Sequence, residues 1–101
     1  MLLEVITPDE MLFRGYVKQV VLPGLDGLYG VLDNHAAMIS ALKEGEVKVD
    51  QIIEKNKGKE FEDDEFSGKY NIEFRNEATF TFKIKGGMSE VRDNKVIVLA
   101  E

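Results

Sequence analysis

The chain has 101 residues, 44% hydrophobic and 32% charged, which suits one ordered domain burying roughly 65% of its unfolded surface rather than a disordered tail. Thirteen basic against 19 acidic residues leave a net charge of −6 with no basic stripe, which argues against nucleic acid and anionic lipid headgroups as direct partners. The absence of cysteine removes disulfides, thiolate zinc sites and cysteine nucleophiles together, and is consistent with a reducing compartment.

Short runs of Val, Ile, Phe, Thr and Tyr, broken by Gly, Pro, Asn and Asp and without a 3.6-residue period, predict an all-β chain. The first residues lack a basic start, a long apolar run and a cleavage site, so no export signal is expected. No apolar stretch approaches the ~20 residues that span a bilayer, so direct membrane insertion is not expected either. Residues 2–6 and 11–14 read as two strands around the turn Thr7-Pro8-Asp9-Glu10. A third strand over 16–22 ends in Val20-Val21-Leu22, apolar on both faces, which fits an inter-sheet position or an outer face that meets a partner.

Gly24, Gly27 and Gly30 follow at three-residue spacing. They match neither a phosphate-binding loop nor a dinucleotide fingerprint, so they read as backbone devices that let the chain fold back sharply. Strands 28–32 and 36–42 flank the turn Asp33-Asn34-His35, and Lys43-Glu44-Gly45 leads into Val47-Lys48-Val49. Ile52 and Ile53 could extend that strand, but Glu54 to Glu65 is dominated by charge, and residues 50–69 read as an extended charged hairpin or loop insertion.

Alternation is cleanest in Tyr70, Ile72 and Phe74 and in Phe80, Phe82 and Ile84, two half-buried antiparallel strands around a turn at Arg75-Asn76-Glu77. Gly86-Gly87-Met88 reads as a bulge or a corner between sheets. Residues 89–92 and 95–99 are joined by Asp93-Asn94, a pair that tolerates the left-handed backbone of a tight hairpin. Regular short strands with turn signals between them give a single domain over residues 1–101, a two-sheet antiparallel β-sandwich of about ten strands.

Chemistry-bearing constellations are sparse. His35 stands beside Asp33, yet no serine or cysteine nucleophile is adjacent, and one histidine cannot supply a multi-imidazole metal shell. A turn histidine bonding the backbone or a neighbouring protein is the simpler reading. The acidic run Glu60 to Phe66 lacks the alternating oxygen ligands and central glycine of a calcium loop, and reads as a solvated tip whose Phe61 and Phe66 need cover. No cofactor and no metal are expected. Leu28, Tyr29 and Met38 are either core or the small apolar centre of a docking face with Asp33, Asn34 and His35 as its polar rim.

With those residues in view, the chain resembles the N-terminal β-sandwich domain of the epsilon subunit of F-type ATP synthases. The resemblance rests on Leu3-Glu4-Val5, Pro8, Phe13 and Gly15, and on Val20-Val21-Leu22-Pro23-Gly24, Gly27 and Gly30-Val31-Leu32. It continues through His35-Ala36, Ile39-Ser40-Ala41-Leu42-Lys43 and Gly45, then Gly86-Gly87-Met88, Glu90-Val91 and Lys95 to Ala100.

The resemblance implies a rotor subunit of the central stalk, packed on gamma and resting on the c-ring at the cytoplasmic face of the inner membrane. Such a subunit touches the catalytic alpha/beta head only indirectly and does no bond chemistry. It implies gamma and ring contacts at Leu28, Tyr29, Asp33, Asn34, His35, Ala36 and Met38, with Gly24, Gly27, Gly30, Gly86 and Gly87 as structural turns. Many relatives carry an acidic residue at Leu28 and read Pro-Gly-His-Ala-Pro where this chain reads Asp33-Asn34-His35-Ala36-Ala37, and Asp33 is the carboxylate available to stand in for the one missing at Leu28. Relatives also continue into an autoinhibitory helical hairpin, which this chain is expected to lack because it ends at Glu101. A free-standing β-sandwich adaptor and a small hydrolase built on His35 are the rival classes.

Overall fold

The computed structural model describes residues 1–56 and 77–101. Eight strands run in chain order as β1 (Leu2–Ile6), β2 (Met11–Gly24), β3 (Gly27–Leu32), β4 (Met38–Leu42), β5 (Gly45–Gln51), β6 (Thr79–Ile84), β7 (Gly87–Arg92) and β8 (Lys95–Ala100), with one helical turn, α1 (Ile53–Asn56), after β5. The count falls short of ten for two reasons. The segments expected at 11–14 and 16–22 are one continuous strand. The strand expected at 70–74 lies outside the described residues, as do the charged tip from residue 57 and the Arg75-Asn76 half of its turn.

The strands follow the order β1-β8-β7-β4-β2-β5-β6, with β3 also on β2 and a further β1–β2 pairing. Strand β2 thus belongs to both layers: its first half pairs β1, and its second half pairs β3 and β5. The device that allows this is a bulge. Val17 faces Gln51 and Gln19 faces Asp50, leaving Lys18 as an extra residue in β2. Before it Met11, Phe13 and Val17 point inward; after it Val20 and Leu22 do. One inserted residue switches which parity faces the core and bends the strand from one layer into the other. Within Val20-Val21-Leu22 ordinary alternation holds, with Val20 and Leu22 buried and Val21 half-buried on the other face.

Seven of the eight strand pairings are antiparallel; β1 and β8 run parallel, from Leu2 opposite Lys95 to Ile6 opposite Leu99. The expectation of a purely antiparallel sandwich is corrected there. A parallel pair needs a long crossover, and here nearly the whole domain is that crossover.

The core fills the space between the layers. Leu3, Val5, Val17, Val20, Leu22, Val31, Val47, Val49, Val91, Val96 and Val98 are fully buried. Each such side chain gains about 1.5–3 kcal/mol from leaving water. Phe13 of β2 meets Phe80 of β6 with ring centres 5.1 Å apart. Val47 and Val49 on β5 alternate with exposed Glu46 and Lys48, as a half-buried strand should.

Strand β5 stops at Gln51, and Ile53 begins α1 rather than extending the strand. The turn brings the Asn56 side chain back to Tyr16: its Oδ1 accepts from the Tyr16 N–H at 2.6 Å, and its amide donates to the Tyr16 carbonyl at 2.9 Å and to Gln51 Oε1 at 3.0 Å. A side-chain amide thereby stands in for the next residue of a strand.

The expected turns form. Thr7 and Glu10 close the β1–β2 connection through their backbones at 2.8 Å and through the Thr7 hydroxyl. Asp93 and Asn94, with φ of 52° and 59°, make a two-residue type I′ hairpin loop. Gly86 and Gly87 turn β6 into β7 at φ of 150° and 143°. At Gly87 a Cβ would lie 2.0 Å from the Leu99 carbonyl oxygen, so only glycine lets β7 approach β8 there.

Candidate docking surface

The turn expected at residues 33–35 forms between β3 and β4. The His35 N–H bonds the Leu32 carbonyl at 3.2 Å, and Asn34 takes the left-handed conformation with φ of 61°. Asp33 is exposed at the head of the turn and receives the Met1 ammonium at 2.7 Å, while the same ammonium donates to the Val17 carbonyl at 3.2 Å. That hydrogen bond first, and the ammonium charge second, hold the Asp33 carboxyl below the usual aspartate range against the opposing effect of desolvation, with smaller help from Lys55 and Asn94. The Asn34 N–H donates to Asn94 Oδ1 at 2.9 Å. His35 is half-buried, and its Nδ1 lies 2.7 Å from the Ala36 carbonyl, the geometry of an N–H donor.

The remaining sequence candidates separate into two groups. Leu28 and Ala36 are exposed, Leu28 by 72%. Tyr29 and Met38 instead turn inward and pack against the core. The Tyr29 hydroxyl reaches across the sandwich from β3 to the paired serines of the other layer. It bonds Ser40 and, at 2.7 Å, Ser89, which lie opposite each other on β4 and β7 with their own hydroxyls 2.9 Å apart. Gly24 makes room for this ring: a Cβ there would sit 2.9 Å from two of its carbons. Gly24 and Gly27 pair at the end of the β2–β3 hairpin, and Gly30 lies exposed in β3.

A further apolar exposure lies outside the docking candidates read from the sequence, on the outer face of β4, β7, β8 and β1. Ala41 on β4 stands opposite Met88 on β7, Met88 opposite Leu99 on β8, and Leu99 opposite Ile6 on β1. Strand alternation puts all four on the outer face, with Met88 49% and Leu99 53% exposed. The neighbouring row reads Ile39, Glu90, Ile97 and Glu4. Ile39 is 66% exposed, whereas Glu4 is covered by Arg14 Nε at 3.1 Å and Lys95 Nζ at 3.0 Å. An open groove of about 440 Å³ adjoins the first row, between Thr7 and Pro8 on one side and Gly87 and Glu101 on the other. Part of the sequence signal for this face lies in the outward members of β4, β7 and β8, where Ile39, Met88, Ile97 and Leu99 stand among the polar Glu90, Arg92 and Lys95.

Among the described residues no group of three or more His, Asp or Glu side chains could hold a metal ion, and no helix is long and apolar enough to cross a membrane. The arrangement offers a shaped surface: an apolar sheet face, a rigid turn and a polar rim.

Comparisons with known proteins agree on the kind of domain. Residues 1–61 match the family described as ATP synthase, Delta/Epsilon chain, beta-sandwich domain. The ATP synthase epsilon chain of Chlorobium limicola is 32% identical over 99 residues, spanning 98% of this chain and 86% of its own. That of Pelotomaculum thermopropionicum is 37% identical over 98 residues, 97% of this chain and 55% of its own. Among solved structures, a chain of the central stalk and c-ring assembly of the Tetrahymena thermophila mitochondrial ATP synthase superposes with a TM-score of 0.63 at 15% identity, covering 99% of this chain and 62% of that one. A chain of the Euglena gracilis mitochondrial enzyme gives 0.65 at 19% identity, covering 97% and 48%.

Proposed function

This chain belongs to the ATP synthase delta/epsilon family, and from that membership we propose that it is an epsilon subunit of the central stalk, docked on gamma and on the c-ring and performing no bond chemistry of its own. In that place it couples rotation of the ring to the catalytic head through gamma. It sits at the cytoplasmic face of the inner membrane, held there through the complex.

The observation that carries the reading is the outer face of Ile39, Ala41, Met88 and Leu99, an apolar sheet surface left open on a closely packed sandwich. Such a surface favours a protein partner. A stable interface of this type buries at least ~1,000 Å², so the apolar rows supply its centre and Glu90 its rim. The exposed Leu28, beside the β2–β3 hairpin, and the Asp33–His35 turn, past the other end of β3, are the candidates for the more polar ring contact. Close packing suits the role, because a dense core has low compressibility and passes load from one contact to another.

The test is co-purification. From detergent-solubilised membranes the chain should elute with gamma and the ring. Replacing both Ile39 and Met88 with alanine removes the exposed parts of two side chains worth about 1.5–3 kcal/mol each on full burial, and should weaken gamma capture by about tenfold. Thermal unfolding should be nearly unaltered. Unchanged capture by a folded double variant would remove the gamma assignment from this face, and enzyme particles that contain gamma and the ring but not this chain would overturn the function.

A further inference from the structure

The Asp33–His35 turn is tied to distant parts of the chain by more bonds than its own closure needs. Its backbone hydrogen bond from His35 to Leu32 already makes a turn. In addition, Asn94 accepts the Asn34 N–H at 2.9 Å across a separation of 60 residues. Its side chain also helps to hold the Asp33 carboxyl below the usual aspartate range, and its backbone carbonyl accepts the Leu2 N–H at 3.2 Å. The Asn94 side chain therefore holds the turn at Asn34, while its main chain fixes the strand that carries the Met1 ammonium to Asp33.

Nothing in the hairpin itself calls for asparagine. Asn94 occupies the second central position of a type I′ loop at φ of 59°, where glycine is at least as well suited. The side chain is spent on the neighbouring turn.

We propose that Asn94 is a positioning residue that presets the Asp33–His35 turn for docking. The inference rests on the docking reading given above. A turn ordered in the free subunit meets its ordering cost during folding rather than on association, so losing the clasp weakens binding without removing any contact with the partner.

Asn94→Gly keeps the hairpin conformation and deletes only the clasp, and Asp93→Gly, in the same loop at φ of 52°, is its control. In the full 101-residue chain, amide exchange by NMR should show the Asn34 N–H exchanging about two- to tenfold faster in Asn94→Gly, the range expected for one exposed hydrogen bond, and unchanged in Asp93→Gly. Thermal unfolding should stay cooperative and within ~8 °C of the parent. Affinity for an assembled gamma–c-ring complex should fall by a similar factor in Asn94→Gly alone. A purely conformational role for Asn94 predicts instead that Asn94→Gly docks as well as the parent.

Unchanged Asn34 exchange in Asn94→Gly overturns the clasp. Faster exchange with unchanged docking, while His35→Ala weakens docking, overturns the positioning role and leaves the docking reading standing. If neither Asn94→Gly nor His35→Ala alters docking, the turn is not a contact, and the reading fails together with the inference.

Discussion

Replacing Tyr29 with phenylalanine tests how the two layers are joined. The Tyr29 hydroxyl bonds both Ser40 and Ser89, and the serines bond each other, so three hydroxyls close a triangle at the boundary between β3 and the β4–β7 pair. Phenylalanine keeps the ring against Gly24 and removes two of the three bonds. Ser89 is only 1% exposed, so water cannot replace the lost partner. Each bond contributes about 0.5–1.5 kcal/mol net, which places the cost near 2 kcal/mol. For a domain of this size that lowers the melting temperature by ~8–16 °C. Calorimetry and urea unfolding should agree, and a cycle with Ser89→Ala should show a coupling of about 1 kcal/mol. A fall of less than ~2 °C, or strict additivity of the two substitutions, would refute the closed triangle and leave Tyr29 as simple packing.

Other substitutions probe separate features. Gly87→Ala should cost more than ~3 kcal/mol, because a Cβ would overlap the Leu99 carbonyl at a φ of 143°; loss of a cooperative urea transition would be the readout. Asn56→Ala strips the Tyr16 N–H and carbonyl of their side-chain partner and should lower stability by about 2 kcal/mol in urea titration. Asp33, whose carboxyl is depressed by the Met1 ammonium, contributes stability above the ordinary aspartate range and loses it as pH falls through its depressed value. The urea midpoint of Asp33→Asn should therefore lie below that of the parent at pH 7 and converge with it in strong acid.

Much of the architecture was legible because strand alternation and turn chemistry are local. Val47 and Val49, Phe80 and Ile84, and the Asp93-Asn94 loop all declare themselves within a few residues. The long β2 was not. The expected strands at 11–14 and 16–22 are one, and the Asn56 side chain that pairs with Tyr16 within it comes from 40 residues away in sequence. Likewise Ile53 seemed strand-like, and only the need to bring Asn56 back to Tyr16 explains a helical turn there.

The docking surface was legible in part. The turn at 33–35 followed from local signals, whereas the exposure of Leu28 was left open between core and docking face. The inward direction of Tyr29 and Met38 depended on which face of β3 and β4 meets the core, a question that periodicity poses without answering. The apolar row from Ala41 to Ile6 was hidden for a further reason: its members come from four strands, and two of those strands are parallel ends of the chain that no short window can place together.

The extra residue at Lys18 has a consequence for how this chain can vary in length. Core-facing positions are odd-numbered before it and even-numbered after it, so removing Lys18 would leave Val17, Val20 and Leu22 in plain alternation without the bend, whereas removing a residue past the bulge, such as Val21, would send Leu22 outward. Insertions at the hairpin ends change only how far a loop protrudes. Past the bulge in β2, one deletion exchanges the inward and outward side chains of the rest of the strand, so the spacing from Val20 to Gly24 is a quantity the fold must keep even where it can tolerate substitutions.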